Sequence, residues 1–222
     1  MRSASELRGG RARLGCDTVS HVCRRPRIPR QQRPHATGVL PDDESHEQKG
    51  GFAVSQLRTV AELMALSART APKGRGDDFI VTEIVQGDML KTLGQKMIEF
   101  GVRTGKDLFD RDGNNVIRSE AVLLIGIKEG KPLGLNCGAC GADKCITPNT
   151  YDGEFSGPQC CLRLLDLGIA IGSAVKTASL LNADNRIMYR IGPVAREMGL
   201  IDADVVIGIP LSATGKSIYC DR

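Results

Sequence analysis

The sequence predicts an α+β fold: a single domain behind a disordered N-terminal arm, interrupted by a cysteine-rich insertion. Three observations predict it. Apolar residues recur at helical spacing in several segments. Short β-branched or wholly apolar runs alternate with those segments, so helices and strands share one domain. Five of the eight cysteines crowd between residues 137 and 161, in a stretch with neither pattern.

The 222 residues, 41% of them hydrophobic, suffice to bury a sizeable core. Aromatics make up only 4% and Trp is missing, which counts against reading single-stranded nucleic acid by base stacking. No apolar run approaches the ~18 residues that span a bilayer. The net charge of +4 hides a split. Residues 1–40 hold nine Arg, no Lys and only Glu6 and Asp17, a balance of +7, which leaves −3 for residues 41–222.

Residues 1–50 carry Pro26, Pro29 and Pro34 but no aromatic residue, and too few aliphatics to offset the entropy of ordering. They read as a disordered Arg-rich extension. A nucleic-acid-binding arm, a transit peptide and a misplaced start compete as its explanation. The apolar stretch of about 7–15 residues that marks a secretory signal is missing, so the expected location is cytoplasmic.

The folded part, residues 51–222, opens on a helix from about Thr59. Leu57, Val60, Ala61, Met64 and Ala68 follow the i, i+3, i+4, i+7 pattern, and Thr59 and Glu62 have capping-box spacing. Pro72 and Gly74 stop it. Residues 79–85 are rich in β-branched side chains and read as a strand. Asp88 caps a second helix running to about Gly101, and 107–119 reads as a polar loop. Residues 121–127 suit a strand buried on both faces. Residues 162–181 form a long helix that is apolar almost all round, the pattern of a central buried element. Its small residues recur every fourth position, as Ala170, Ala174 and Ala178 and as Gly168 and Gly172, which suits close helix approach in the core or a homodimer interface. A short helix over 193–200 and a buried strand over 204–210 complete the set.

The cysteines carry the chemistry. Cys16, Cys23 and Cys220 have no partner at motif spacing. Cys137, Cys140, Cys145 and Cys160 follow C-x2-C-x4-C-x14-C, with Cys161 adjacent to the last. Four soft thiolates in a compact loop suit a tetrahedral zinc ion or an iron–sulfur cluster. A zinc ribbon ordinarily repeats C-x2-C after a longer gap. Here three thiols come from nine residues and the fourth arrives alone, closer to cluster-binding spacing. Gly138, Ala139, Gly141 and Ala142 let the backbone curl and aim N–H groups at sulfur. The start of the long helix places positive potential beside Cys160. Spacing alone leaves open whether Cys160 or Cys161 is the fourth ligand, and adjacent cysteines at a helix start are expected to point apart.

Four stretches carry a resemblance: Gly134-Leu135-Asn136-Cys137-Gly138-Ala139-Cys140-Gly141, Gly157-Pro158-Gln159-Cys160, Leu164-Leu165-Asp166-Leu167-Gly168-Ile169-Ala170 and Ile207-Gly208-Ile209-Pro210-Leu211-Ser212-Ala213-Thr214-Gly215-Lys216. Over about residues 55–222 the chain resembles a prokaryotic family of ferredoxin-domain-containing proteins. That resemblance implies a 4Fe-4S cluster held by Cys137, Cys140, Cys145 and Cys160, the last following Gly-Pro-x. The C-x2-C-x4-C segment is also similar to cluster domains of electron-transport-complex and corrinoid-protein subunits, whose last gap is slightly longer. A weaker resemblance concerns the scaffold. Ala68-Arg69-Thr70-Ala71-Pro72-Lys73-Gly74 ahead of a strand looks like the start of flavin-dependent nitroreductases, which implies an α+β homodimer with FMN. The Asn-x-Gln-Pro-Trp continuation and the N-terminal arginines of that fold have no match here.

Two further motifs yield to simpler readings. Gly215-Lys216-Ser217 follows a strand, but position 210 is Pro where a phosphate loop needs Gly. Asp110-x-Asp112-Gly113 resembles half a calcium loop in the wrong frame, so a solvated turn is expected. The three histidines, His21, His35 and His46, all precede the folded part. The expected function is therefore 4Fe-4S binding in electron transfer or a redox reaction, with an unknown redox partner and no membrane. The alternatives are an FMN-dependent nitroreductase-like oxidoreductase, or a zinc-stabilised module whose basic arm contacts nucleic acid.

Overall fold

The structure, a computed structural model, describes residues 56–219. The Arg-rich extension with its boundary near residue 50, Cys16, Cys23, Cys220 and the three histidines lie outside the described residues. Among the described residues no helix is long and apolar enough to cross a membrane.

The first helix, α1 (Gln56–Thr70), buries Leu57, Ala61, Met64 and Ala68, the stripe its spacing predicts. It starts before Thr59, so that residue lies inside the helix instead of capping it, and Glu62 pairs with Arg58 at 2.9 Å. Strand β1 (Ile80–Gln86) follows. Helix α2 (Asp88–Thr104) begins after Gly87, which takes the N-cap position at φ 62°. Asp88 is the first helical residue, and its carboxylate pairs with Lys91 at 3.2 Å.

Residues 107–119 are not a polar loop. They hold helix α3 (Phe109–Ile117), which buries Phe109, Asp112, Gly113, Asn115 and Val116. The reason is tertiary. Gly94 of α2 and Gly113 of α3 bring the two backbones so close that a Cβ at Gly94 would stand 2.5 Å from the Gly113 carbonyl oxygen. Asp112, expected in a solvated turn, is 1% exposed and pairs with Arg190 at 2.9 Å and Arg111 at 2.7 Å.

Strand β2 (Ala121–Ile127) is buried at every position, as its unbroken apolar run predicts. Two short strands, β3 (Tyr151–Asp152) and β4 (Ser156–Gly157), form a hairpin in the insertion. Helix α4 (Cys161–Leu180), strand β5 (Asp184–Asn185), helix α5 (Ile191–Glu197) and strand β6 (Val205–Ser212) complete the chain order.

The main sheet runs β1-β2-β6-β5, and every neighbouring pair is antiparallel. Side chains of β2 alternate between two cores. Ala121, Leu123, Ile125 and Ile127 pack with α1 and α4, while Val122 and Leu124 pack with α2, α3 and α5. The result is a three-layer α+β domain with helices on both faces of an antiparallel sheet, the class the sequence predicts.

Helix α4 is buried on one face only. Ala170, Ala174 and Ala178 are fully buried in the core shared with α1, so that small-residue row is core. Gly168 and Gly172 face outward, with nothing within 4 Å of where a Cβ would stand. Leu164, Leu165, Ile169 and Leu180 are exposed beside them.

Candidate metal centre

The insertion leaves β2 at Ile127 and returns at α4. Two arginines fix its entry: Arg163 Nε donates to the Lys131 carbonyl at 2.8 Å, and Arg75 donates to the Leu133 carbonyl at 2.9 Å. Beyond them the backbone curls through left-handed positions at Gly134, Asn136, Gly138 and Gly141, with φ of 74°, 47°, 72° and 86°. Gly suits three of these because it carries no Cβ to clash there. The Gly141 N–H closes a turn onto the Gly138 carbonyl at 2.9 Å, a turn that starts just after Cys137 and includes Cys140.

Asn136 ties the start of this curl to its end. Its side-chain oxygen accepts from the Cys145 N–H at 2.9 Å, and its own N–H donates to Cys145 Sγ at 3.4 Å. Asn tolerates the left-handed backbone better than most residues, which accounts for the type found there. The far side is held by Arg196 of α5, which donates to the Glu154 carbonyl at 2.7 Å and to Ser156 Oγ at 2.8 Å. The Ser156 N–H also donates to the Asp204 carbonyl at 2.9 Å, just before β6.

The chain then passes the cis Gly157–Pro158 peptide to Cys160, the N-cap residue of α4. The Cys160 carbonyl accepts the N–H groups of Arg163 and Leu164 at 3.0 and 3.1 Å. Its thiol is buried, and burial by itself raises the pKa. Backbone N–H groups of Leu133, Arg163 and Leu162, together with the Arg163 charge, outweigh that and bring the pKa below the usual cysteine value. The helix start therefore favours thiolate at this position.

All five cysteines of the segment line one small hollow. Cys137 and Cys140 are exposed, Cys145 and Cys161 are half-buried, and Cys160 is buried; none is in a disulfide. Pro132, Gly138, Ala142, Lys144 and Ile146 fill the wall between them. Cys160 and Cys161 both border the hollow, one buried and the other half-buried. No three Cys, Asp, Glu or His side chains among the described residues are gathered as ligands of one ion. The donor set is soft sulfur from three segments of chain, with a backbone N–H already donating to the Cys145 sulfur. Those are the features that suit a thiolate-bound cluster.

One supporting feature has no counterpart in the cysteine motif. Arg163 is 1% exposed and forks across the site's base. It pairs with Asp77 at 2.8 Å and Asp166 at 3.1 Å, donates to the Gly74 carbonyl at 2.9 Å, and lies 4.7 Å from the Phe79 ring centre. Asp166 in turn accepts the Gly74 N–H at 2.9 Å. The signal that points to it is an Arg and an Asp three residues apart inside an otherwise apolar helix.

Residues 156–222 match a family described as "Uncharacterized protein containing a ferredoxin domain (DUF2148)". An uncharacterized protein of Archaeoglobus fulgidus is 50% identical over 174 residues, 77% of this chain and 94% of that protein. Among solved structures, the chain is similar to a nitroreductase family protein from Clostridium novyi NT, at 16% identity and a TM-score of 0.46, over 72% of this chain and 78% of the other. It is also similar to a nitroreductase with bound FMN from Desulfitobacterium hafniense DCB-2, at 11% identity and a TM-score of 0.46, over 72% and 79%. Likeness at that level fixes neither cofactor nor activity. The sequence relationship along nearly the whole archaeal protein does fix the family: the chain belongs to the ferredoxin-domain-containing proteins that its four sequence stretches resemble.

Proposed function

We propose that this protein binds a 4Fe-4S cluster through Cys137, Cys140, Cys145 and Cys160 and passes electrons to a redox partner. The observation that carries the reading is the convergence of thiols from the curl, its end and the α4 start on one hollow. The family's ferredoxin domain supports it. Such a cluster supplies one-electron transfer at a potential set by the surrounding charge and hydrogen bonds. The chain's part is to hold and tune. Asn136 fixes the span of the curl, and the α4 N-terminus, nearby backbone N–H groups and Arg163 place positive potential beside Cys160. Four thiolates fill four iron corners, which favours an electron relay over substrate binding at iron. The proposal includes a cytoplasmic setting, where free thiols persist.

Anaerobic purification followed by iron, sulfide and zinc analysis, with EPR after reduction, tests the proposal. The expected result is about four irons and matching sulfide per chain, lost in Cys140→Ala. Stoichiometric zinc without sulfide overturns it. The same preparation decides the flavin alternative, since bound FMN would appear as a yellow species released on denaturation with the mass of FMN.

A further inference from the structure

Five thiols line the hollow, whereas a four-iron cluster takes four. The two on α4 differ in position: Cys160 is the N-cap residue and buried. Cys161 is the first residue of α4 and half-buried, and no hydrogen bond among the described residues holds its sulfur. Both stand at the N-terminal end of the same 20-residue helix, next to each other in sequence. Apart from Lys144, the other residues lining the hollow are small or apolar, and none is an Asp, Glu or His that would compete with the cysteines as a ligand.

We propose that Cys161 is a second cysteine competent for the fourth ligand position, able to serve when Cys160 does not. The inference rests on the cluster reading above. It gives the fifth cysteine at the hollow a role, and it makes the Cys160-Cys161 pair a ligand position with a built-in substitute.

The test uses the full chain, purified anaerobically as wild type, Cys160→Ala, Cys161→Ala and the double variant. Alanine cannot ligate iron. The Cys160 side chain makes no capping hydrogen bond, so its loss spares the helix start, which circular dichroism checks. Cys160→Ser is carried alongside as a substitution suited to an N-cap. The expected result is a wild-type iron content in both single variants, with the EPR spectrum changed in Cys160→Ala and unchanged in Cys161→Ala. The double variant loses the iron. If Cys160→Ala loses iron as completely as the double variant while wild type holds it, the inference is overturned and the cluster reading stands. If Cys161→Ala alone loses iron, Cys161 is the resident ligand and the inference is again overturned. Wild type without iron or sulfide overturns the cluster reading itself, and the inference with it.

Discussion

The guanidinium of Arg163 is almost wholly withdrawn from water, and it is matched on every side. Two carboxylates, two carbonyls and an aromatic face surround it, from Asp77, Asp166, Gly74, Lys131 and Phe79. A buried ion pair adds little net stability while intact, but removing one partner strands the other. Arg163→Met therefore costs about 3–5 kcal/mol, read as a lower urea midpoint. Arg163→Lys recovers only part of this, because a single ammonium cannot replace a planar fork. A second buried group sets an alkaline limit. Burial, with Asp184 and Glu120 acting the same way, raises the Tyr219 phenol from 10.0 to about 12, against the 2.8 Å hydrogen bond with Ser119. The native state favours the neutral phenol. Its contribution is complete below the ordinary value of 10.0 and is lost as pH rises through about 12. The size is of order 2 kcal/mol, read as a steeper fall in stability above about pH 10 for wild type than for Tyr219→Phe.

Helices α2 and α3 meet backbone to backbone at Gly94 and Gly113, whereas Gly172 on α4 faces open space. The two kinds of glycine respond oppositely to a methyl group. Gly94→Ala forces α3 away and costs about 1–3 kcal/mol. Gly172→Ala gains up to about 1 kcal/mol from helix propensity alone. Thermal unfolding of the two variants checks both signs, and a loss of stability in Gly172→Ala would mean that another surface covers this face. The same contact explains why α3 escapes a reading by periodicity. Its polar letters describe a loop, and only the close approach of Gly113 to Gly94 together with the Arg190 pair to Asp112 makes it a buried helix. Strand β2 lies at the other extreme, because a run with no polar residue has only one sensible place, between two layers.

At the scale of the molecule, the two cores lie on either side of the sheet, and the cysteine curl adds little to either. Of the loop around the hollow, Leu133 and Cys160 are the buried hydrophobic members, and residues 134–144 are nearly all exposed. A domain of this size with two packed cores is expected to fold without a metal, unlike a zinc finger. Chelation that removes the proposed metal centre is therefore expected to leave the far-UV circular dichroism unchanged while residues 134–150 become sensitive to protease. Collapse of the helical signal would show instead that the centre holds the fold. By itself the sequence determined the class, β1, β2, β6 and the long helix, and the crowding of five cysteines into one segment. These are properties of period and spacing, which are local. Only the tertiary structure decided that α4 exposes its glycine row and buries its alanine row, that α3 exists, that Arg163 and Asn136 anchor the curl, and that Cys161 shares the hollow with the other four. Each of these depends on which surfaces meet across distant parts of the chain, and a buried pair such as Arg163 with Asp77 is written 86 residues apart.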